Sequence, residues 1–261
     1  MKPVDSVWIR DYGAWHIHDG TASAGIVDLV YNRPRPNDDK IPREIANAYG
    51  YPVYHPPLVH AGGNFMADGW GTAVCSDLIL EENPGLTEAA LAILMSDYFG
   101  CDCVLVLPRI HYEYTGHIDL YLKLLAPDLL LVGEWPRSDP NWGLAEAVVA
   151  RFRDMASPFG RPYRFCRVPM PEPSADTLHS YANSLIIGGK VLVPTGNFPE
   201  DSVALEAYRE ALPGYDVQGR NCTAMGGSGG AIHCVTKNFA SITLLRVLHV
   251  PLADTALPAG P

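Results

Sequence analysis

The stretch "GGSGGAIHCVT", residues 226–236, places a cysteine directly after a histidine in a glycine-rich segment. A cysteine nucleophile needs a proton donor or acceptor within reach, and His233 is the nearest candidate along the chain. The apolar and β-branched residues of "AIHCVT" favour a strand, in which successive side chains point to opposite faces. We therefore expect His233 to face away from Cys234 and to be structural, so the catalytic partner must come from another segment.

The stretch "TGHIDLY", residues 115–121, offers such a partner. His117 and Asp119 are separated by one residue, so on a strand both side chains would point to the same face. An imidazole can act as a general acid or base near neutral pH, and a carboxylate beside it could orient the ring or bind a cationic substrate. Solvated His-x-Asp pairs are also common, and the motif alone leaves both interpretations open.

The stretch "WIRDYGAW", residues 8–15, carries an acid among aromatic residues. In an extended conformation Asp11 would point away from the face shared by Trp8, Arg10 and Tyr12. A buried carboxylate needs a positive or hydrogen-bonding partner, because an unpaired buried charge is very costly. A surface or capping role for Asp11 is the alternative.

In "YNRPRPNDDK", residues 31–40, two arginines each precede a proline. This placement pushes Arg33 and Arg35 toward extended conformations. Two forked guanidinium groups on a stiff segment suit a carboxylate or a phosphate. Alternatively, the segment is a rigid surface loop in which the arginines pair with Asp38 and Asp39.

The overall composition excludes several classes of function. The formal net charge of −10 argues against a nucleic acid partner, because phosphate binding needs a basic surface. No apolar run approaches the roughly 20 residues of a membrane span, so no membrane partner is expected. The six cysteines show neither a CxxC pair nor zinc-ligand spacing, which predicts no metal site and no disulfide framework. The amino-terminal stretch has no apolar segment of the signal-peptide type, which indicates either a cytoplasmic protein or a lost leader.

These motifs must be positioned by the elements between them, and four segments share one plan. Each has a helical stretch, a glycine or proline stop, a strand, and a loop that leads into a motif. The predicted helices fall within residues 41–50, 84–100, 139–155 and 200–214. Pro42 suits an early helical position, and Asp201 or Ser202 is expected to cap the last helix.

Polar residues end these units at nearly regular intervals. The series runs Asp11, Asn64, His117, Asn183 and Cys234, with intervals of 53, 53, 66 and 51 residues. Periods near 50 residues, with strands and one helix per unit, favour a repeat architecture around an axis, with one polar residue per unit at the centre. Asp11 has no helix and strand ahead of it, so the chain is expected to begin partway through its first repeat. Chance spacing within an ordinary α/β protein is the alternative.

Five motifs, in their order and spacing, resemble those of the bacterial peptidylarginine deiminases of the Porphyromonas type. They are "WIRDYGAW", "YNRPRPNDD", "GGNFMADG", "GHID" and "GGSGGAIHCVT". That family is grouped with the agmatine deiminases in the guanidino-group-modifying (pentein) superfamily. The resemblance covers about residues 8–240. It implies a pseudo-fivefold α/β propeller of ββαβ units, here without part of the first blade, and a single deiminase catalytic domain over residues 1–261.

The resemblance also implies roles for individual residues. Cys234 matches the nucleophile that attacks the guanidinium carbon, and His117 matches the general acid that protonates departing ammonia. Asp11 and Asp119 match the carboxylates that hold the guanidinium group, and Asn183 matches an active-site residue near the nucleophile. The expected substrate-binding residues are Trp8 and Tyr114, which match the lining of the substrate channel, and Arg33 and Arg35, which match a site for the carboxylate of a C-terminal arginine.

The implied function is hydrolysis of the guanidinium group of C-terminal peptidylarginine to citrulline and ammonia. The expected partner is an arginine-containing peptide or a small guanidino compound, and no metal or cofactor is implied. Agmatine deimination, and an inactive fragment that only binds arginine peptides, are the alternatives; a papain-like enzyme is disfavoured because its nucleophile precedes its histidine. Related enzymes are typically exported, so a secreted or cell-envelope protein is expected, with a cytoplasmic one as the alternative.

Overall fold

The structure is a computed structural model that describes residues 3–18, 24–172, 179–228 and 230–238. No helix within these ranges is long and apolar enough to cross a membrane. The helices are α1 (Ile9–Tyr12), α2 (Ile41–Tyr49), α3 (Leu78–Glu82), α4 (Glu88–Phe99), α5 (Pro140–Arg153) and α6 (Asp201–Ala211). Short 3₁₀ segments occur at Gly62–Asn64, Ile118–Leu120 and Thr223–Ser228.

Most strands form small three-stranded sheets. The sheets are β1 (Trp15–His18), β2 (Ala24–Val27) and β4 (Val53–Tyr54); β6 (Met66–Ala67), β7 (Thr72–Ser76) and β8 (Cys103–Leu107); β9 (Leu122–Ala126), β10 (Leu129–Glu134) and β11 (Arg164–Pro169); and β12 (Leu185–Ile187), β13 (Lys190–Thr195) and β14 (Asp216–Asn221). A parallel pair is formed by β3 (Val30–Tyr31) and β5 (Val59–His60).

All four three-stranded sheets are built in the same way. The first two strands pair antiparallel, a helix follows, and the next strand pairs parallel with the middle strand. The crossover helices are α2, α4, α5 and α6 in chain order. The described residues thus form an α/β fold with four ββαβ units, and the predicted alternation of helix and strand is confirmed.

Local signals explain where the helices begin and end. The Thr87 side chain accepts a hydrogen bond from the Ala90 backbone N–H at 3.2 Å, which caps the start of α4. Gly100 ends that helix with a φ of 64°, a left-handed conformation that glycine adopts without a steric penalty. At α5, Asp139 accepts from the Asn141 N–H at 2.7 Å. The four predicted helices are therefore confirmed.

The predicted cap of the last helix is wrong. Glu200 occupies the capping position of α6 and makes no capping hydrogen bond with its side chain. Asp201 instead accepts hydrogen bonds from the backbone N–H groups of Gly196 and Phe198 in the loop ahead of the helix. Its carboxylate also accepts a 2.8 Å hydrogen bond from the Tyr181 hydroxyl, so this loop is fixed to the segment that precedes β12.

One apolar cluster extends across the last three units. Strand β10 is buried from Leu129 to Gly133, and α5 packs against it through residues such as Val148 and Phe152. A strand covered on both faces has a continuous apolar sequence rather than an alternating one. This packing makes the sheets a rigid support for the loops that follow their strands.

Three segments predicted as strands are a short helix or turns instead. Residues 9–12 form α1, residues 118–120 form a 3₁₀ turn, and residues 232–235 form a turn. Some of their backbone N–H groups bond to distant groups rather than to a neighbouring strand: Arg10 donates to the Cys234 carbonyl at 3.1 Å, Ile118 to Asn64 Oδ1 at 3.3 Å, and Cys234 to Asn183 Oδ1 at 3.3 Å. Alternating or β-branched residues cannot reveal such long-range partners, which is why the strand predictions failed.

Candidate active site

Loops from separate units meet at one open pocket of about 380 Å³. Its lining residues are Trp8, Asp11, Tyr31, Arg33, Arg35, Tyr114, Thr115, His117 and Cys234. Seven of the nine residues predicted for the site line this pocket, and the other two, Asp119 and Asn183, contact Cys234 from below the pocket.

Cys234 lies at the bottom of the pocket and is only 3% exposed. Its Sγ is 3.2 Å from Asn183 Nδ2 and 3.7 Å from Asp119 Oδ2. The other end of the Asn183 amide accepts hydrogen bonds from the backbone N–H groups of Ala231 and Cys234, at 2.9 and 3.3 Å. Asn183 therefore shapes the turn that presents the thiol.

Asp119 is completely buried, and its two carboxylate oxygens differ in their surroundings. Oδ2 lies 2.6 Å from His233 Nδ1 and accepts a 3.0 Å hydrogen bond from Asn183 Nδ2. Oδ1 has no hydrogen-bond partner within the described residues. A buried carboxylate oxygen without a partner is costly unless a ligand supplies a donor.

The prediction that His233 faces away from Cys234 is wrong. Residues 232–235 form a turn, so both side chains reach the same carboxylate of Asp119. His233 is the one residue of this cluster that the sequence patterns missed. The glycine-rich run before it, which favours turns over strands, was the available signal. We call Asp119, Asn183, His233 and Cys234 the floor of the pocket.

Asp11 and His117 face the pocket side by side. Asp11 Oδ1 accepts a 3.0 Å hydrogen bond from the Gly63 N–H and lies 3.6 Å from His117 Nδ1. A Cβ at position 63 would lie 2.8 Å from Asp11 Oδ1 and closer still to His117 Nδ1, so only glycine fits there. His117 Nε2 is buried and has no hydrogen-bond partner among the described atoms, which leaves it available to a ligand.

The loop ahead of His117 is fixed by Glu113. Its carboxylate accepts hydrogen bonds from the backbone N–H groups of Thr115, Gly116 and His117, at 2.8, 2.5 and 3.2 Å. A carboxylate that accepts several backbone N–H groups locks a loop in one conformation. Glu113 thus sets the direction in which His117 enters the pocket.

Arg33 and Arg35 lie on the pocket wall and are half-buried. Neither forms a salt bridge within the described part of the chain. The alternative that they pair with Asp38 and Asp39 is wrong: Asp38 accepts hydrogen bonds from the amino-terminal segment, and Asp39 pairs with Arg43 at 3.0 Å. The two guanidinium groups are thus available to a ligand. We call Trp8, Arg33, Arg35 and Tyr114 the rim of the pocket.

Burial dominates the ionisation of the floor. Burial raises the pKa of Cys234 well above its usual range, and the neighbouring carboxylates of Asp119 and Asp11 raise it further. Burial also raises the pKa of Asp119 to about 6, against the opposing effect of His117. The pocket without substrate therefore disfavours negative charge, which a cationic ligand would offset.

Two buried basic side chains interact electrostatically with the floor. Arg10 is buried and donates from Nε to the His233 carbonyl at 3.2 Å. Lys123 on β9 is also buried, and burial lowers its pKa to about 7 while Asp119 and Cys234 oppose that shift. Within the described residues, no group of three or more His, Cys, Asp or Glu side chains could hold a metal ion.

Comparison with known proteins identifies the family. A family model described as Porphyromonas-type peptidyl-arginine deiminase matches residues 1–239. The chain belongs to this family. The resemblance found in the five motifs is thereby confirmed, and this deiminase is a hydrolase that acts on C–N bonds of amidines.

Named relatives and solved structures extend this finding. The agmatine deiminase of Ectopseudomonas mendocina is 25% identical over 275 residues, which cover 89% of this chain and 74% of the relative. A Porphyromonas gingivalis protein provisionally named an arginine deiminase is 27% identical with a TM-score of 0.82, over 92% of this chain and 76% of the other. The agmatine deiminase of Enterococcus faecalis is 24% identical and shares the fold with a TM-score of 0.81. The match covers 88% of this chain and 73% of the Enterococcus chain.

Proposed function

We propose that this deiminase hydrolyses the guanidinium group of a small guanidino substrate and releases ammonia, through a covalent intermediate on Cys234. One observation carries this proposal. A thiol contacts an amide and a buried carboxylate at the bottom of a pocket that Asp11 and His117 also line. These groups match the needs of a planar, cationic and poorly electrophilic substrate.

The guanidinium group would bind between two carboxylates. Asp119 Oδ1 is a buried acceptor without a partner among the described residues, and Asp11 lies on the pocket wall. Paired N–H···O hydrogen bonds from a guanidinium to carboxylates are strong and directional. They would hold the central carbon next to Cys234 Sγ.

The first half of the reaction forms a bond to sulfur. The Cys234 thiolate attacks the guanidinium carbon and gives a tetrahedral adduct. One C–N bond then breaks, and its nitrogen leaves as ammonia with a proton from His117. The bound guanidinium brings a positive charge beside the thiol, which offsets the effect of Asp11 and Asp119 on its pKa.

The second half of the reaction restores the enzyme. His117, now deprotonated, takes a proton from water, and the resulting hydroxide attacks the carbon of the covalent intermediate. The C–S bond breaks and returns the thiolate of Cys234, while the hydroxyl proton of the adduct passes to solvent. The product carries a urea group in place of the guanidinium.

Two substrates are in question, and they differ at the end remote from the guanidinium. The named relatives support agmatine better than the C-terminal peptidylarginine that the sequence patterns favoured, and we put agmatine first. Arg33 and Arg35 support the second candidate, because two guanidinium groups on the wall attract a carboxylate and repel the amine of agmatine.

We further propose that the ββαβ units surround the pocket as a pseudo-fivefold α/β propeller, within a single catalytic domain over residues 1–261. The four similar units and the pocket at the junction of their loops support this arrangement.

The test is a measurement of ammonia and of the ureido product with four compounds: agmatine, free arginine, a peptide ending in arginine, and the same peptide amidated. Cys234→Ala serves as the control. We expect release by the parent protein and none by the variant. Equal rates with both proteins would contradict the mechanism, and binding without release would identify an arginine-binding protein that is not an enzyme.

A further inference from the structure

His233 is fixed at three points within the floor. Its ring Nδ1 lies 2.6 Å from Asp119 Oδ2. Its backbone N–H donates to the Asn183 carbonyl at 3.1 Å, and its own carbonyl accepts from Arg10 Nε at 3.2 Å. The side chain is about one-tenth exposed, so the ring has little freedom to turn away from Asp119.

The charges around the two partners determine which of them donates. Burial lowers the pKa of His233 well below its usual range, and the surrounding cations lower it further, so the ring is neutral. Asp119, once ionised, can only accept hydrogen bonds, so the proton is on Nδ1. The titratable and charged groups that act on Asp119 or His233 are Arg10, Asp11, His117, Lys123, Cys234 and Lys237.

This contact decides which oxygen of Asp119 remains available. Oδ2 is shared by His233, Asn183 and the Cys234 thiol, whereas Oδ1 has no partner within the described residues. The shortest of these contacts is the one from His233, and a hydrogen bond to an ionised acceptor is about twice as strong as a neutral one. Without it, the carboxylate could rotate toward the thiol and lose its orientation toward a substrate.

We propose that His233 is a positioning residue of the deiminase, whose Nδ1–H fixes Oδ2 of Asp119 and turns Oδ1 toward the guanidinium of the substrate. The inference rests on the proposed function, since it assigns the guanidinium to Asp119. It gives each member of the His-Cys pair a separate role, because the cysteine reacts while its neighbour orients the carboxylate that holds the substrate.

A pair of amide variants tests this role. In His233→Asn the amide nitrogen takes the place of Nδ1 and can still donate to Asp119. In His233→Gln the amide group is displaced by one bond and lies nearer the position of Nε2. We expect His233→Gln to lose about 10- to 100-fold in kcat/KM, mostly through KM, which corresponds to one charge-assisted hydrogen bond, and His233→Asn to retain most of the activity.

The pH profile separates positioning from a general loss of packing. A carboxylate that loses a hydrogen-bond donor has a higher pKa, so the acid limb of kcat/KM should move to higher pH in His233→Gln and stay in place in His233→Asn. A variant that only loosens the fold would lower the melting temperature without moving this limb.

The outcomes distinguish the two proposals. If the parent releases ammonia and His233→Gln matches it in KM and in pH profile, the positioning role is overturned while the deiminase function stands. If His233→Asn is as impaired as His233→Gln at equal melting temperature, a donor at Nδ1 is not what matters, and the role is again overturned. If the parent releases no ammonia from any guanidino compound, the proposed function fails. In that case calorimetric binding of guanidinium to the parent and to His233→Gln still tests the role, and equal affinities or no binding overturn it.

Discussion

The floor and the rim of the pocket are held in place in different ways. Asp119 and Asn183 are completely buried, and each hydrogen-bonds within the floor. At the rim, Arg33 and Arg35 are half-buried and Tyr114 is 77% exposed. Within the described residues, the two rim arginines make one side-chain hydrogen bond, from Arg35 to the Tyr31 hydroxyl at 3.1 Å.

This difference indicates that the floor serves the reaction common to all substrates, whereas the rim selects among substrates. A buried, hydrogen-bonded group such as the floor resists change, because the removal of any member leaves an unsatisfied partner. The rim can change without disturbing the floor, and its charges meet the part of the substrate that differs between agmatine and arginine. Substitutions in the floor should affect all substrates alike, whereas substitutions in the rim should alter their ratio.

The largest effect is expected at the nucleophile. Cys234→Ala removes the atom that forms the covalent bond, and turnover of every guanidino substrate should fall by about 1,000-fold or more. The matched control is Cys166→Ala, which removes a buried thiol that contacts the Ala207 carbonyl on α6 and not the pocket. Ammonia release by both variants is the measurement, and residual turnover by Cys234→Ala would mean that the floor does not contain the nucleophile.

A smaller but still large effect is expected at Gly63. Gly63→Ala forces Asp11 and His117 apart, because a Cβ there would approach both within 2.8 Å. We expect kcat to fall by about 100-fold for agmatine and arginine peptides alike, as displacement of catalytic groups by about 1 Å does. The control is Gly143→Ala in α5, where the added methyl group meets no atom within 4 Å. Loss of activity with only one substrate would contradict the expectation that only rim substitutions change the ratio of activities toward the two substrates.

Rim substitutions test the other side of the comparison. Arg33→Gln and Arg35→Gln should each lower kcat/KM for a peptide with a free C-terminal arginine by about 10- to 100-fold, since a charged hydrogen bond to the carboxylate is lost. Turnover of agmatine should stay equal or improve, because a repulsive charge is removed. Arg209→Gln on the exposed face of α6 is the control. Equal losses with both substrates would place these arginines in the shared machinery.

The smallest effect is a pH dependence shared by all substrates. Burial raises the pKa of Asp119 to about 6, and the ionised form is the one that binds guanidinium. As pH falls through this value the carboxylate is protonated, so kcat/KM should drop by about tenfold per pH unit below it. The acid limb should be at the same pH for agmatine and for an arginine peptide. Limbs at different pH values would indicate that a rim group, rather than the floor, controls it.

The sequence by itself determined the family, the four long helices and the positions of the chemical groups. Helix ends such as those at Thr87 and Gly100 depend on hydrogen bonds and backbone conformations within a few residues, so local patterns reveal them. Each motif also contains the side chains that take part in the chemistry, and five such motifs in the right order identify a family. Seven of the nine predicted site residues line the pocket, and the other two contact Cys234 from below.

Only the tertiary structure decided the conformation of the loops and the partners within the floor. The short segments that carry Asp11, His117 and Cys234 have patterns typical of strands, yet they fold as a helix turn, a 3₁₀ turn and a turn. Backbone N–H groups in these segments donate to groups far along the chain, Arg10 to the Cys234 carbonyl and Ile118 to the Asn64 side chain. His233 contacts Asp119 across 114 residues. Local propensity contains no information on partners at such separation, and burial, which sets the pKa of Asp119 and Cys234, exists only once the units have packed together.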